Sequence, residues 1–402
     1  MDNARKELEL SVRYFLELYS KKKCSYGLVP DSYPGKYTYV ASIAASGFFF
    51  ASLVIGSEYK MIAKEKAEKM FLKSMETLKN LDALHGWFCH YYDSRTGERL
   101  FGTGERLFGT EYSTIDTCLM LAGALTAGSY FGGEGLKIAK SLLNRCNFQY
   151  ILKEFGHMFS MSINYNRQFQ GHWDRYAEQL IMYVLGAANT RKDHKMPIDI
   201  YYKFIRDRGE YAGHKFIYSW HNSLFTYQYS HAFISFKGMV DKNGDDWFEN
   251  SVQASLASQK YSDSLSTQYK SINGKSWGLT ACATKGGYSG RFGSLPVGDY
   301  QVFHDGTMAP CGAIGSIVFT PELSLEALNY YYRDTKLIGK YGLYDSYNLN
   351  QNFYANRYIA IDKGITAVML ANYFDGIIWK YFNKLEIIQD AMSELGFTKK
   401  GE

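Results

Sequence analysis

Helical periodicity recurs along this chain in two alternating forms, and that alternation narrows the folds open to it more than any other feature. Amphipathic segments rich in Lys and Glu run at 4–20, 60–79, 135–153, 197–207, 246–263 and 322–335, with another near 376–394. Between them lie segments poor in charge and rich in Ala, Gly and Ser, at 40–56, 113–129, 174–187, 225–238, 306–318 and 361–372. The first kind has one wet face, and the second reads as buried on all sides. Six such alternations predict an all-α fold, an (α/α)6 barrel whose inner helices approach closely through their small residues. The stretch 37–57 is uncharged and long enough to span a bilayer, but its Ser42, Ser46, Gly47 and Ser52 suit a helix buried in protein, so no membrane association is expected. Without a domain-scale repeat or linker, residues 1–402 read as one domain.

The segments leading into the inner helices are long (21–39, 80–112, 154–173, 208–224, 264–305 and 337–360), whereas those following them are short, for example 130–134 and 319–321. In an alternating barrel all inner helices run the same way, so the long loops gather at one end. Long structured loops are uncommon unless they serve a function. These are crowded with aromatics, as in HGWFCHYYDSRTG (85–97) and YGLYDSYNLNQNFY (341–354). The whole chain has 35 Tyr, 26 Phe and 6 Trp, a surplus that excludes disorder. One loop contains a tandem copy, GERLFGTGERLFGT (97–110), read as a duplication tolerated at a surface.

The 45 Lys and Arg against 40 Asp and Glu are interspersed and leave no nucleic-acid footprint. The opening MDNARKELEL has no basic region followed by an apolar one, as a secretory leader would. Six scattered cysteines (Cys24, Cys89, Cys118, Cys146, Cys282, Cys311) form no CxxC pair and no zinc spacing, which fits reduced thiols in a cytoplasmic enzyme with no metal and no cofactor implied. GxxxxGK[ST], HExxH, GxSxG and a complete GxGxxG are all absent. Chemistry therefore falls to carboxylates.

A few of these interrupt otherwise uncharged inner helices. Glu111 and Asp116 stand in EYSTIDTCLMLAGAL (111–125), where Ser113 followed by Asp116 also suits a capping box. Glu178 stands in WDRYAEQLIMYVLGA (173–187), four residues after Asp174 and so on the same face of a helix, with an ion pair to Arg175 as the alternative role. Asp305 could N-cap the fifth inner helix, and His231 alone would suit a satisfied core histidine. Together, carboxylates at several inner-helix starts would point into one aromatic-lined cavity. Two carboxylates across a cleft are the minimum for glycosidic hydrolysis, and aromatic faces pack on the C–H faces of sugars.

At these same segments the chain resembles the bacterial glucoamylase-like domain family, whose members include endo-β-1,2-glucanases of glycoside hydrolase family 144 with an (α/α)6 fold. The resemblance rests on GLVPDSY (27–33), ASIAASGF (41–48), EYSTIDTCLMLAGAL, WDRYAEQLIMYVLGA, QYSHAFISFKG (228–238), WFENS (247–251), WGLTAC (277–282), DGTMAP (305–310), YGLYDSYN (341–348) and IAIDKGITAVMLANY (359–373), in order over nearly the whole chain. It implies Glu178 as the essential carboxylate and acid, Asp116 as a base, and Glu111 as a third candidate. His231, Tyr229, Trp277 and Asp305, with Asp174 and Trp173 beside the acid, would shape sugar subsites. The chain departs from the family pattern at Ala283, His304 and Ala371, where acidic residues are usual. The expectation is a hydrolase of β-linked glucan, most plausibly β-1,2-glucan or its oligosaccharides. A transglycosylase and a degenerate sugar-binding protein are the alternatives.

Overall fold

The computed structural model describes residues 2–20, 26–100 and 111–401. Cys24 and most of the GERLFGT duplication lie outside the described residues. Thirteen α-helices run among the described residues: α1 (Asp2–Leu18), α2 (Ile43–Glu58), α3 (Lys64–Asn80), α4 (Thr114–Phe131), α5 (Gly133–Arg145), α6 (Leu180–Ala188), α7 (Tyr229–Phe233), α8 (Trp247–Ser264), α9 (Pro310–Gly315), α10 (Pro321–Tyr331), α11 (Ala360–Asp375), α12 (Ile377–Asn383) and α13 (Glu386–Glu394). The β structure is confined to two- and three-stranded pieces of two to four residues per strand.

The two kinds of helix are as distinct in space as in sequence. Helices α2, α4, α6 and α11 are buried along nearly their whole length, whereas α1, α3 and α5 bury one face and expose charges on the other. At their crossing, α2 and α4 meet backbone to backbone. A Cβ on Gly47 would strike the Leu119 carbonyl, and one on Gly123 would strike the carbonyl of Gly47. Helix α2 is the uncharged stretch that could have been mistaken for a membrane span; no helix of the described residues is long and apolar enough to cross a membrane.

Several expected helices are shorter than their periodicity suggested. The outer segment 197–207 forms only a 3-10 turn, Ile198–Tyr202. Inner segment 306–318 becomes helical at Pro310, whose missing N–H costs nothing at the first helical position. Segment 225–238 is α-helical only over Tyr229–Phe233, because Ile234 adopts extended angles. The chain from Asp174 to Gln179 precedes α6 and is not helical, so Asp174 and Glu178 do not share a helix face. Asp305 does not cap α9 either; Ala309 holds that position, and the Asp305 carboxylate accepts from the Thr307 N–H at 2.9 Å.

Many of the loop aromatics serve packing. Trp87, Phe88, Tyr92, Tyr341 and Tyr347 are buried and seat the loops on the helices, with their polar atoms satisfied. Tyr92, for example, donates to the Asp82 carbonyl at 2.6 Å while its oxygen accepts the Cys89 N–H at 2.8 Å.

Candidate active site

The starts of five helices converge on one cavity of about 470 Å³. Ser42, which caps α2, lines it, as do Ile115, Asp116 and Leu119 of α4, Glu178 just before α6, Tyr229 at the start of α7, and Ile359 and Ile361 at the start of α11. The long loops supply the rest: Asp31, Ser32, Tyr37 and Val40 from one, His90 and Tyr91 from a second, Phe225 from a third, Gly287 and Tyr288 from a fourth, and Arg357 from a fifth.

Local pairing explains why these groups meet. Strand Val40–Ser42 pairs antiparallel with Tyr91–Asp93, setting Ser42 opposite Tyr91. The His90 N–H donates to the Glu111 carbonyl at 2.9 Å, and its own carbonyl accepts the Ile43 N–H at 3.0 Å. His90 is thus pinned by its backbone between the entrances of α2 and α4. Its imidazole faces two carboxylates, with Nδ1 2.8 Å from Glu111 Oε1 and Nε2 3.7 Å from Asp116 Oδ2. Burial opposes a charge on this ring, but Asp116 and Glu111 outweigh it and hold the imidazole up at about 9. Burial alone would raise the Glu111 carboxyl, yet its bond to His90 brings it below the usual range. At neutral pH His90 is therefore a cation between two acids.

Asp116 sits in the first turn of α4, where the helix dipole favours a negative group. Ser113 caps the helix as the sequence spacing suggested: its Oγ accepts the Asp116 N–H at 3.3 Å and donates to Asp116 Oδ2 at 2.5 Å. The cap does not hide the carboxylate, which still lines the cavity.

Glu178 has the opposite surroundings. Arg175, its candidate partner, pairs instead with Asp207 at 2.7 Å and Asp174 at 3.6 Å. Glu178 Oε2 has no hydrogen-bond partner among the described residues. Burial pushes this carboxyl up to about 8, and the negative charge of Asp116 adds to the rise. Its backbone is fixed by Ser230 of α7, whose Oγ donates to the Glu178 carbonyl at 2.5 Å and accepts the Ile181 N–H at 2.9 Å. Glu178 is thus an acid that keeps its proton at neutral pH, facing the same space as Asp116.

Tyr229 also faces this space, and Glu111 stands behind His90. The other expected subsite residues lie elsewhere. His231 is buried with Nε2 3.1 Å from Ser251 Oγ and its ring among Phe236 and Phe319. Burial lowers its imidazole to about 3, so it packs as a neutral ring. Trp277 is fully buried, its indole N–H donating to the Leu323 carbonyl at 3.4 Å. Asp305 closes a turn with Thr307, outside the residues lining the cavity. Trp173 is buried, and Asp174 lines a second, smaller cavity. Conversely, His90, Asp31, Tyr288 and Arg357 line the site without having been singled out from the sequence. All four come from the long aromatic-rich loops, which was the available signal. Burial, opposed by His90 and by a bond from Ser42, raises the Asp31 carboxyl.

Carboxylates in unlike environments thus line one aromatic cavity at the starts of buried helices. Residues 170–386 match the Glycoamylase family model, described as "Putative glucoamylase", and the chain belongs to that family. In structure it is similar to an endo-β-1,2-glucanase from Chitinophaga pinensis, solved with sophorotriose and glucose, with a TM-score of 0.87, 26% identity, and coverage of 99% of this chain and 98% of that one. A β-1,2-glucanase from Parabacteroides distasonis shares the fold at a TM-score of 0.86 and 23% identity, covering 98% of this chain and 60% of the other. In sequence the chain is 25% identical, over 97% of its length, to an exo β-1,2-glucooligosaccharide sophorohydrolase (non-reducing end) from Parabacteroides distasonis. It spans only 57% of the length of that relative.

Proposed function

We propose that this chain is a cytoplasmic glycoside hydrolase acting on β-1,2-glucan or its oligosaccharides, built as one (α/α)6-barrel domain. The observation that carries the reading is the pair of unlike acids, Asp116 and Glu178, lining one cavity. Glu178, protonated at neutral pH, donates to the glycosidic oxygen as the bond breaks. Asp116, facing a hydroxyl donor and the His90 cation, takes the proton of the attacking water, directly or through a sugar hydroxyl, with Glu111 as the third acid of the cluster. This division of labour is the one glycoside hydrolysis requires. Tyr37, Tyr91, Phe225, Tyr229 and Tyr288 give the sugar rings apolar and hydroxyl contacts. The β-1,2 linkage is supported by the activities named for the Chitinophaga and Parabacteroides relatives, and the barrel by the convergence of five helix starts.

The direct test is incubation with β-1,2-, β-1,3-, β-1,4- and α-1,4-glucans followed by product sizing. Reducing ends should appear with β-1,2-glucan, and activity confined to α-1,4-glucan would overturn the substrate assignment. Asp116→Asn should cut turnover by roughly 10²-fold or more, whereas wild-type-like turnover would remove Asp116 from its role.

His90 gives a second test. His90→Gln keeps hydrogen-bonding capacity but loses the charge that lowers Glu111 and faces Asp116. Glu111 should then ionise at higher pH, so an acidic limb of the pH–rate profile that reports this cluster should move upward and kcat should fall. An acidic limb that stays in place would show that the imidazolium does not support these acids.

A further inference from the structure

Two further acids, Asp345 and Asp362, are almost completely buried. They line a small space of about 10 Å³ and not the main cavity, although Ile359 lines both. Lys363 also borders the small space but is committed to Glu7. Asp345 Oδ1 and Asp362 Oδ2 have no hydrogen-bond partner among the other described residues, and two buried carboxyls side by side are tolerated when they share a proton. Burial raises both, and the bond between them raises Asp362 and lowers Asp345, so Asp362 keeps the proton and Asp345 is the anion. Asp345 Oδ2 accepts the Ala283 N–H at 2.7 Å, and Ser346 Oγ donates to the Ala283 carbonyl. Ala283 stands directly opposite Tyr288 in the hairpin formed by Cys282–Thr284 and Gly287–Ser289, and Tyr288 lines the main cavity. From these connections we infer that Asp345 is a positioning residue: its carboxylate sets where the Tyr288 hairpin stands in the cavity, and so how tightly the glucan is held. This rests on the hydrolase reading above.

The hairpin has little else to place it. Tyr288 is 55% exposed, and its neighbours Gly286, Gly287 and Gly290 bring no side chains. A Cβ added at Gly287 or Gly290 would meet nothing within 4 Å. The turn is closed from within, by Thr284 Oγ1 donating to the Gly287 carbonyl at 2.8 Å. Ser223 Oγ accepts the Ala281 N–H at 3.0 Å, but Ala281 precedes the hairpin. Residues directly opposite in an antiparallel pair are locked by the ladder bonds on either side. A hold on both backbone polar groups of Ala283 is therefore a hold on Tyr288, and a bond to a charged acceptor is the stronger kind. Asp345 is itself well anchored. Its N–H donates to the carbonyl of Arg357 at 3.0 Å, and Asp362 ties its carboxylate to the first turn of the buried helix α11. Neither acid lines the main cavity, so neither is placed to react with a sugar.

Asp345→Ala should raise KM for β-1,2-glucan roughly 10-fold with kcat little changed, the signature of lost uniform binding. Its backbone bond to Arg357 survives, so the loss reports the hairpin. Asp345→Asn should restore most of the affinity, because an amide can accept from Ala283 and donate to Asp362. Ser346→Ala removes the other half of the clamp without stranding a buried charge, and should raise KM by a smaller factor. Asp345→Ala should add little to the loss already caused by Tyr288→Ala. Hydrogen exchange across 282–289, measured without glucan, should quicken in Asp345→Ala and return towards wild type in Asp345→Asn. A kcat that collapses in Asp345→Asn as deeply as in Asp345→Ala would make Asp345 a reacting group and overturn the positioning role. An unchanged KM in Asp345→Ala and Ser346→Ala, or full additivity with Tyr288→Ala, would overturn it while leaving the hydrolase reading intact. A wild-type protein without turnover, whose glucan affinity by calorimetry still falls in Asp345→Ala, would sink the hydrolase reading and keep the positioning role. No binding of β-1,2-glucan by the wild type would sink both.

Discussion

Glu178→Gln should lower the release of reducing ends from β-1,2-glucan by ~10²–10⁴-fold, the usual contribution of a positioned proton donor. It should also make the protein more stable at alkaline pH. Burial holds the wild-type carboxyl up at about 8, against 4.5 for a free one. The folded state thus keeps a proton that the unfolded chain releases, and stability falls as pH rises from about 4.5 to about 8. The penalty above that window is on the order of a few kcal/mol, and the neutral amide avoids it. His90 acts in the same direction over a later window. Its folded value near 9 lies above the ordinary 6.5, so its contribution is complete below about 6.5 and is lost as pH rises through about 9. Denaturant titrations at pH 5 and pH 9 should show the variant gaining on wild type only at the higher pH. Equal stability differences at both would mean that Glu178 is ionised in the native protein. In the wild-type pH–rate profile, the alkaline limb should fall through about 8 as this proton is lost.

Lys363→Met should destabilise the fold by about 3–5 kcal/mol, the cost of leaving a buried charge without its partner. Lys363 of α11 and Glu7 of α1 are both almost completely buried, with Nζ 2.5 Å from Oε1. The other carboxylate oxygen accepts from Tyr332 Oη at 2.8 Å and the Leu343 N–H at 3.1 Å. These donors persist in the variant but do not neutralise the charge. The double variant Lys363→Met, Glu7→Gln should recover much of the loss, because no unpaired ion remains. The denaturation midpoint at constant slope is the measure. Additive losses in the double variant would show that the pair is not coupled. Because Ile359 and Ile361 at the entrance to α11 line the main cavity, the single variant should also lose activity on mild warming before the rest of the chain unfolds.

The alternation of wet and dry helices was legible because burial on one face or on all faces leaves a direct mark on composition. Helix length was not, where tertiary demands overrode periodicity: Pro310 starts α9, and Ile234 turns extended after only five helical residues. Asp116 and Glu178 stood out because charges rarely interrupt such segments. His231 stood out for the same reason and packs in the core instead, since a polar residue in a dry helix looks alike whether it faces a cavity or a serine. His90, Asp31 and Arg357 were hidden because loop residues have no period. What places His90 is a pair of backbone hydrogen bonds to residues 47 positions earlier and 21 later, and no local pattern records them.

The glycine-to-backbone contact between α2 and α4 has a consequence for how such a protein can change. Ser42, His90 and Asp116 are all referenced to the entrances of these two helices, so the spacing of the proposed base and its cation is a property of a joint where two helix backbones touch. The long loops carrying Tyr37, Tyr288 and Arg357 can then be exchanged or lengthened to accept other sugars while the proton chemistry keeps its frame. A single methyl group added at Gly47 would disturb that frame from behind the cavity wall, by pressing on the backbone of Leu119 and Met120.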